Sequence, residues 1–273
     1  MRYKKVLYPL AAACLVCVLA ILGHGVLAER EAKWPEAPGN NVKNSEKLKV
    51  DCSNMSEGYF MASVKKSSKA MKLRVSYNGE TLTYDLNNKG DKEVFPFNMG
   101  SGKYEITLWE NVSGKKYSAA GKVTLNVKLK QEEGAFLYPN QYVNYTIKSE
   151  AVAMAKKLCE GKTDKQAFDA ICNFMKTQFV YDFVKAATVK AGVLPDIDGC
   201  YKKHMGVCQD LSAIMVCMLR TQGIPAKLMI GYADKQYHAW TVTIINGEEV
   251  FYDPTAALNA ISKPKTYSVE RFY

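Results

Sequence analysis

The hydrophobic period changes once along this chain, and that change limits the folds open to it. From Leu48 to about Leu129, apolar and polar residues alternate in short runs broken by turn residues. From Ser149 onward apolar residues recur at i, i+3 and i+4 instead. Alternation belongs to half-buried strands and the longer period to helices, so a β-rich unit precedes a unit that contains helices. In the first unit "KLRVSYNGETLTYDL" is a hairpin signal, with Asn78-Gly79 between two alternating runs. The stretch "KYEITLWENVSGKKYSAAGKVTLNVKL" adds two or three further strands. About seven strands in roughly 80 residues, with no helical period, predict a small immunoglobulin-like β-sandwich over 47–130. Its aromatic residues Tyr59, Phe60, Tyr77, Tyr84 and Trp109 are expected in the core rather than as a carbohydrate platform, because alternation already accounts for them.

The second unit, 131–273, opens with "SEAVAMAKKLC" and "TDKQAFDAICNFMKTQF", both at helical spacing. Thr163 fits an N-cap and Gln166 completes a capping box. An irregular stretch follows, in which Asp182–Met205 is either a lid over the next helix or a connecting loop. That helix lies in "GVCQDLSAIMVCMLRTQGIP", starting at Cys208 and stopped by Gly223. Strands then run from Ala226 without alternating helices, which makes the unit α+β.

Ahead of both units, residues 1–28 have the layout of a secretory signal: Arg2, Lys4 and Lys5, an apolar run, then "VLA" before Glu29. The apolar run Val6–Gly23 has 18 residues, enough for an uncleaved membrane anchor as the alternative. Either way the rest of the chain is expected to be extracellular or at the cell surface. A lipoprotein cut at Cys14 would divide the apolar run. Residues 29–46 are polar, hold two prolines and a glycine, and read as a linker.

Losing the three cations of the signal would lower the net charge from +10 to +7, with lysines scattered along the chain. That balance suits an anionic cell surface, and no basic stripe interleaved with aromatics points to nucleic acid. There is no HExxH pair, and with His24 in the signal only His204 and His238 remain, too few for a histidine-based metal site. No nucleotide-binding glycine pattern or EF-hand spacing is present, so no cofactor is expected.

Thiol chemistry remains. Six cysteines follow the signal: Cys52, Cys159, Cys172, Cys200, Cys208 and Cys217. Cys208 lies in the first turn of its helix, where free N–H groups and the helix dipole favour a thiolate. Cys217 sits in the all-apolar "AIMVCML" and reads as a core filler, on the opposite side and about 13 Å along the axis. A nucleophilic thiol needs a base. His238 lies in "YHAWTVTIINGEEVFYDPT", where a two-residue turn at Asn246-Gly247 sets the register. Thr241 then faces Tyr252, and Asp253 becomes the diagonal neighbour of His238 on one face. That face also carries Trp240, Val242, Ile244 and Phe251 and is expected to be the buried one. A carboxylate there can hold the imidazole and stabilise its charged form. The bland alternatives are a structural cysteine and an Asp-Pro turn. His204 precedes Cys208 by four residues but has no orienting carboxylate and reads as a surface residue.

"GVCQDLSAIMVCMLRTQGIPAKLMIGY", "YHAWTVTI" and "YDPT" together resemble the transglutaminase-like superfamily, especially its secreted bacterial members. The resemblance implies a papain-like core with the cysteine helix packed on an antiparallel sheet. It implies Cys208 as nucleophile, His238 as general acid and base, and Asp253 as the residue that orients His238. The substrate would be an amide or peptide bond of a protein or cell-wall peptide, with water or an amine as acceptor. Hydrolysis is favoured over cross-linking, because nothing in the sequence suggests exclusion of water. The backbone N–H of Cys208 is one oxyanion donor. The family's usual upstream donor has no clear match, which leaves Tyr181 as the side-chain candidate. The superfamily also holds peptide N-glycanases and inactive members, so the alternative function is a silent cell-surface binding module that keeps the fold.

Overall fold

A computed structural model describes residues 30–260 and 264–273. The expected signal, the anchor alternative and Cys14 lie outside the described residues. No helix among the described residues is long and apolar enough to cross a membrane.

The first unit has eight strands, β1 (Val42–Ser45) from the polar stretch before it and seven from the alternating segment: β2 (Leu48–Asp51), β3 (Tyr59–Ser63), β4 (Met71–Tyr77), β5 (Glu80–Asp85), β6 (Glu93–Pro96), β7 (Gly102–Ser113) and β8 (Lys116–Val127). They form two four-stranded antiparallel sheets, ordered β1-β2-β3-β6 and β5-β4-β7-β8. Inward positions of both sheets meet in one core: Val50, Phe60 and Phe95 from the first, Leu73, Ile106 and Leu108 from the second. Phe60 stacks on Phe95 at 5.3 Å, and Tyr84 meets Phe95 edge-on at 5.0 Å. Asn78 and Gly79 both have positive φ, the type I′ geometry that fits the twist of the β4–β5 hairpin.

Two expectations about this unit need correction. The polar stretch through residue 46 is not a free linker. Arg30 donates to the carbonyls of Lys162 and Gln222 and pairs with Asp164, Trp34 meets Tyr145 edge-on, and β1 occupies Val42–Ser45. Polar composition does not prevent an edge strand, which needs only backbone pairing on one side. Nor is Trp109 a core residue. Leu108 and Ile106 take the inward positions of β7, and alternation turns Trp109 to the outer face, half-buried beneath Arg74.

The second half contains α1 (Glu150–Cys159), α2 (Asp164–Gln178), α3 (Phe183–Thr188), α4 (Ile197–Lys203), α5 (Cys208–Arg220) and α6 (Pro254–Ala257). Thr163 and Gln166 make the full capping box at the start of α2. The sheet is antiparallel, ordered β13-β12-β11-β14, from β11 (Ala226–Ala233), β12 (Gln236–Ile245), β13 (Glu248–Tyr252) and β14 (Tyr267–Phe272). No pattern in the sequence marks strand β14. Gly231 makes room for its bulge, since a Cβ there would lie 2.0 Å from the Ser268 carbonyl oxygen.

Helix α5 packs on β11 and β12 with one face and on α1, α2 and α4 with others, so every residue from Asp210 to Arg220 is buried. A helix apolar all round is the sequence counterpart of that position. At its end Arg220, 0% exposed, donates to the carbonyls of Tyr138, Ala226 and Tyr273 at 2.7–2.9 Å. Tyr273 also stacks on Tyr142 at 3.7 Å, and Asn98 donates to the Phe272 carbonyl. The sandwich and the helical half thus share one continuous core.

Candidate active site

Helix α5 begins at Cys208, whose N–H has no acceptor within the helix. The turn before it is held by Asp210, fully buried, which accepts from the Val207 N–H and the Asp196 N–H at 3.0 Å each. Lys185 reaches in from α3 to pair with the same carboxylate at 2.7 Å. Burial alone would lower the Lys185 pKa, but the bond to Asp210 outweighs it and raises it. Gly206 is required by this arrangement, because a Cβ there would come within 2.8 Å of the Asp210 Cβ. Sequence reasoning missed Asp210. The available signal was an acidic residue at the third position of a helix, where a side chain can reach back to the cap.

His238 and Asp253 come from adjacent strands. The ladder pairs Ile245 with Glu248, Thr243 with Val250 and Thr241 with Tyr252, the register the Asn246-Gly247 turn implies. His238 Nε2 lies 2.9 Å from Asp253 Oδ2, and both residues are buried. Cys208 raises the pKa of the same imidazole from close by, and the carboxylate at Nε2 leaves Nδ1 uncommitted to Asp253. Burial by itself would lower the His238 pKa, but Asp253 and Cys208 outweigh it and push it up to about 9. Burial pushes the Asp253 carboxyl up, yet His238 and the other donors to it prevail and hold it below the usual carboxylate range.

Asp253 does two jobs at once. Its Oδ1 accepts from the N–H groups of Thr255 and Ala256 and caps α6, while Oδ2 takes His238 and the Tyr267 hydroxyl, the latter at 2.8 Å. Turn chemistry and imidazole orientation are therefore not alternatives here. Tyr267 also closes an aromatic wall beside His238 with Trp240, at 5.0 Å between those two rings. It sits on β14, and no local pattern singles it out.

The face that carries His238 is buried at His238, Trp240 and Val242 as expected, but the burial does not extend to Phe251. Ala239, Thr241 and Thr243 are the positions pressed against the core, while Phe251 on the His238 side is 47% exposed. Threonines tolerate that burial because each hydroxyl finds a carbonyl: Thr241 that of Ser212, Thr243 that of Pro225.

Tyr181 pairs in register with Gly206 through two short parallel strands, β9 (Val180–Tyr181) and β10 (Met205–Gly206). Burial above all pushes its phenol up to about 12, so it is a hydroxyl donor at neutral pH. His204 caps α4 in a left-handed conformation, stacks on Phe179 and bonds the Gln178 carbonyl, away from the thiol. Residues 182–205 form α3 and α4 and are tied to the start of α5 through Lys185, Asp196 and a Gln209–Val193 bond. Cys208 itself stays half-buried, so they do not seal it.

All six cysteines of the described residues are free. Burial pushes Cys52 and Cys200 up to about 11, Cys172 up to about 12, and Cys159 and Cys217 upward as well. Among the described residues, no three His, Cys, Asp or Glu side chains converge as a metal-binding set.

Residues 152–254, which hold Cys208, His238 and Asp253, match the family model of the transglutaminase-like superfamily. No curated protein matches the sequence. Similar solved structures include a proposed cysteine protease from Cytophaga hutchinsonii, 14% identical, covering 79% of this chain and 78% of that one with a TM-score of 0.40. The periplasmic domain of TgpA from Pseudomonas aeruginosa, bound to ethylmercury, is 15% identical over 74% of this chain and 73% of that one, TM-score 0.38. Red sea bream transglutaminase is 11% identical over 84% of this chain and 50% of that one, TM-score 0.32.

Proposed function

We propose that this protein is a secreted cysteine acyl-enzyme former that acts on amide bonds of proteins or cell-wall peptides. The reading rests on one observation, the buried His238–Asp253 hydrogen bond beside Cys208, which opens a buried helix. The Cys208 sulfur attacks the carbonyl carbon, and the oxyanion is met by the Cys208 N–H with the Tyr181 hydroxyl as second donor. As the C–N bond breaks, His238 gives its proton to the departing amine, leaving a thioester on Cys208. His238 then takes a proton from the incoming water or amine, which displaces the sulfur. Asp253 holds the ring in place and stabilises its charged form throughout. The half-buried position of Cys208 leaves it open to water and supports hydrolysis as the second half-reaction.

The test is a panel of glutamine-containing and cell-wall peptides, offered with and without a primary amine and read by mass spectrometry. Ammonia release, peptide cleavage or amine incorporation is expected, and each should vanish in Cys208→Ala. No turnover across the panel, with cell-wall binding retained by Cys208→Ala, would replace the reading with a silent binding module.

A further inference from the structure

The outer face of the β5-β4-β7-β8 sheet carries a groove of about 580 Å³ lined by Lys72, Arg74, Trp109, Gly114, Lys115 and Tyr117. We propose that this groove binds an acidic glycan, a sugar polymer bearing carboxylates, and so fixes the protein on a polysaccharide surface. The inference does not depend on the thiol chemistry, because none of these residues belongs to the candidate active site.

Four features argue for it. The Arg74 guanidinium lies over the Trp109 ring at 4.9 Å and makes no hydrogen bond or ion pair among the described residues. Its planar fork is therefore oriented by stacking while its N–H donors stay available, the arrangement suited to a carboxylate. Lys115 likewise has no acceptor among the described residues, and it borders the same groove. Lys72 lies over the Tyr117 ring at 5.7 Å and is balanced by Asp85 alone. Three cations meeting one paired carboxylate leave the groove positive. Finally, two aromatic side chains stand on an outward sheet face, where alternation would ordinarily put small polar residues. Flat aromatic surface beside cations fits a ring with an apolar C–H face and an acidic substituent, which is the chemistry of a uronic acid. A disordered acidic peptide would use the cations but has no comparable use for the rings.

The protein would be titrated calorimetrically with a galacturonic acid hexamer, its methyl ester, and poly-L-glutamate of similar length, at two salt concentrations. The expected result is binding of the free acid that weakens with salt, and little binding of the ester, which keeps the sugar and loses the charge. Arg74→Glu with Lys115→Glu should weaken binding by about tenfold or more, because two facing attractions become repulsions. These side chains are exposed, and an unchanged melting temperature and Cys208 alkylation rate will show that the fold is intact. Trp109→Leu, which keeps the charges, should also weaken the acid. The proposal is overturned if the hexamer fails to bind, if the ester or poly-L-glutamate binds as tightly, or if the double variant binds like the parent.

Discussion

Replacing Asp253 by Asn separates the two jobs of that side chain. Its Oδ1 caps α6, and an amide oxygen can keep accepting from Thr255 and Ala256. The Oδ2 side changes character, because an amide nitrogen there donates to His238 Nε2 where the carboxylate accepted from it. The ring must then carry its proton on Nδ1, the nitrogen uncommitted to Asp253, and can no longer take the thiol proton there. The charge effect can be sized from the elevation of His238 from 6.5 to about 9, roughly 3 kcal/mol in favour of the imidazolium. Burial opposes that elevation and Cys208 alone remains to support it, so without the carboxylate the imidazole should titrate well below 9. At pH 7.5 the charged fraction is about 97% for a value near 9 and about 9% for the ordinary 6.5, so the loss approaches tenfold as the elevation is removed. Turnover should drop by two orders of magnitude or more, since tautomer and charge are both wrong. The direct assay is a nitrogen-edited NMR titration of His238 in the parent and in Asp253→Asn, alongside iodoacetamide labelling of Cys208 against pH. An imidazole that still titrates near 9 in Asp253→Asn would refute the reasoning.

Three further outcomes follow from the same geometry. In the parent, the His238–Asp253 pair stabilises the fold fully below pH 6.5, and that contribution is lost as pH rises through about 9. The depressed Asp253 carboxyl acts at the other end, contributing above its ordinary value of 3.8 and losing its effect as pH falls through its lower folded value. Melting temperatures should therefore decline at both extremes, and Asp253→Asn should remove most of the alkaline dependence. Asp210→Ala deletes two backbone hydrogen bonds and the Lys185 partner from a fully buried position, and should cost about 3–5 kcal/mol in denaturant unfolding. Arg220→Lys retains the charge but cannot span three carbonyls, and a loss of about 2–4 kcal/mol is expected; an unchanged midpoint would show that those carbonyls find other donors.

What could be read from the sequence was local. Asn246-Gly247 determines its hairpin register because only left-handed turn residues match the twist of the flanking strands, and Asp253 follows from that register by counting. The start of α5 is legible for a similar reason: Gly206 before it, a C-terminal glycine after it, and apolar residues on every side. Long-range features were not legible. Arg220 looks like an ordinary basic residue in the last turn of a helix, yet its three acceptors lie on segments up to 82 residues away. Tyr267 reaches Asp253 from a strand whose pattern is no different from a polar edge. Trp109 falls outside the core because position outweighs aromatic character: the alternation of its neighbours already turns it outward.

Strand β14 has a consequence for the order in which the molecule becomes complete. Synthesis delivers Cys208, His238 and Asp253 before Tyr267 and Tyr273. Until those residues lie along β11, Asp253 lacks the Tyr267 hydroxyl and Arg220 lacks the Tyr273 carbonyl. A chain still emerging from the ribosome thus holds its thiol, imidazole and carboxylate on a scaffold that is not yet closed. The geometry around Asp253 and Arg220 is therefore reached only once β14 has been made and has paired with β11, a timing that comes from connectivity alone.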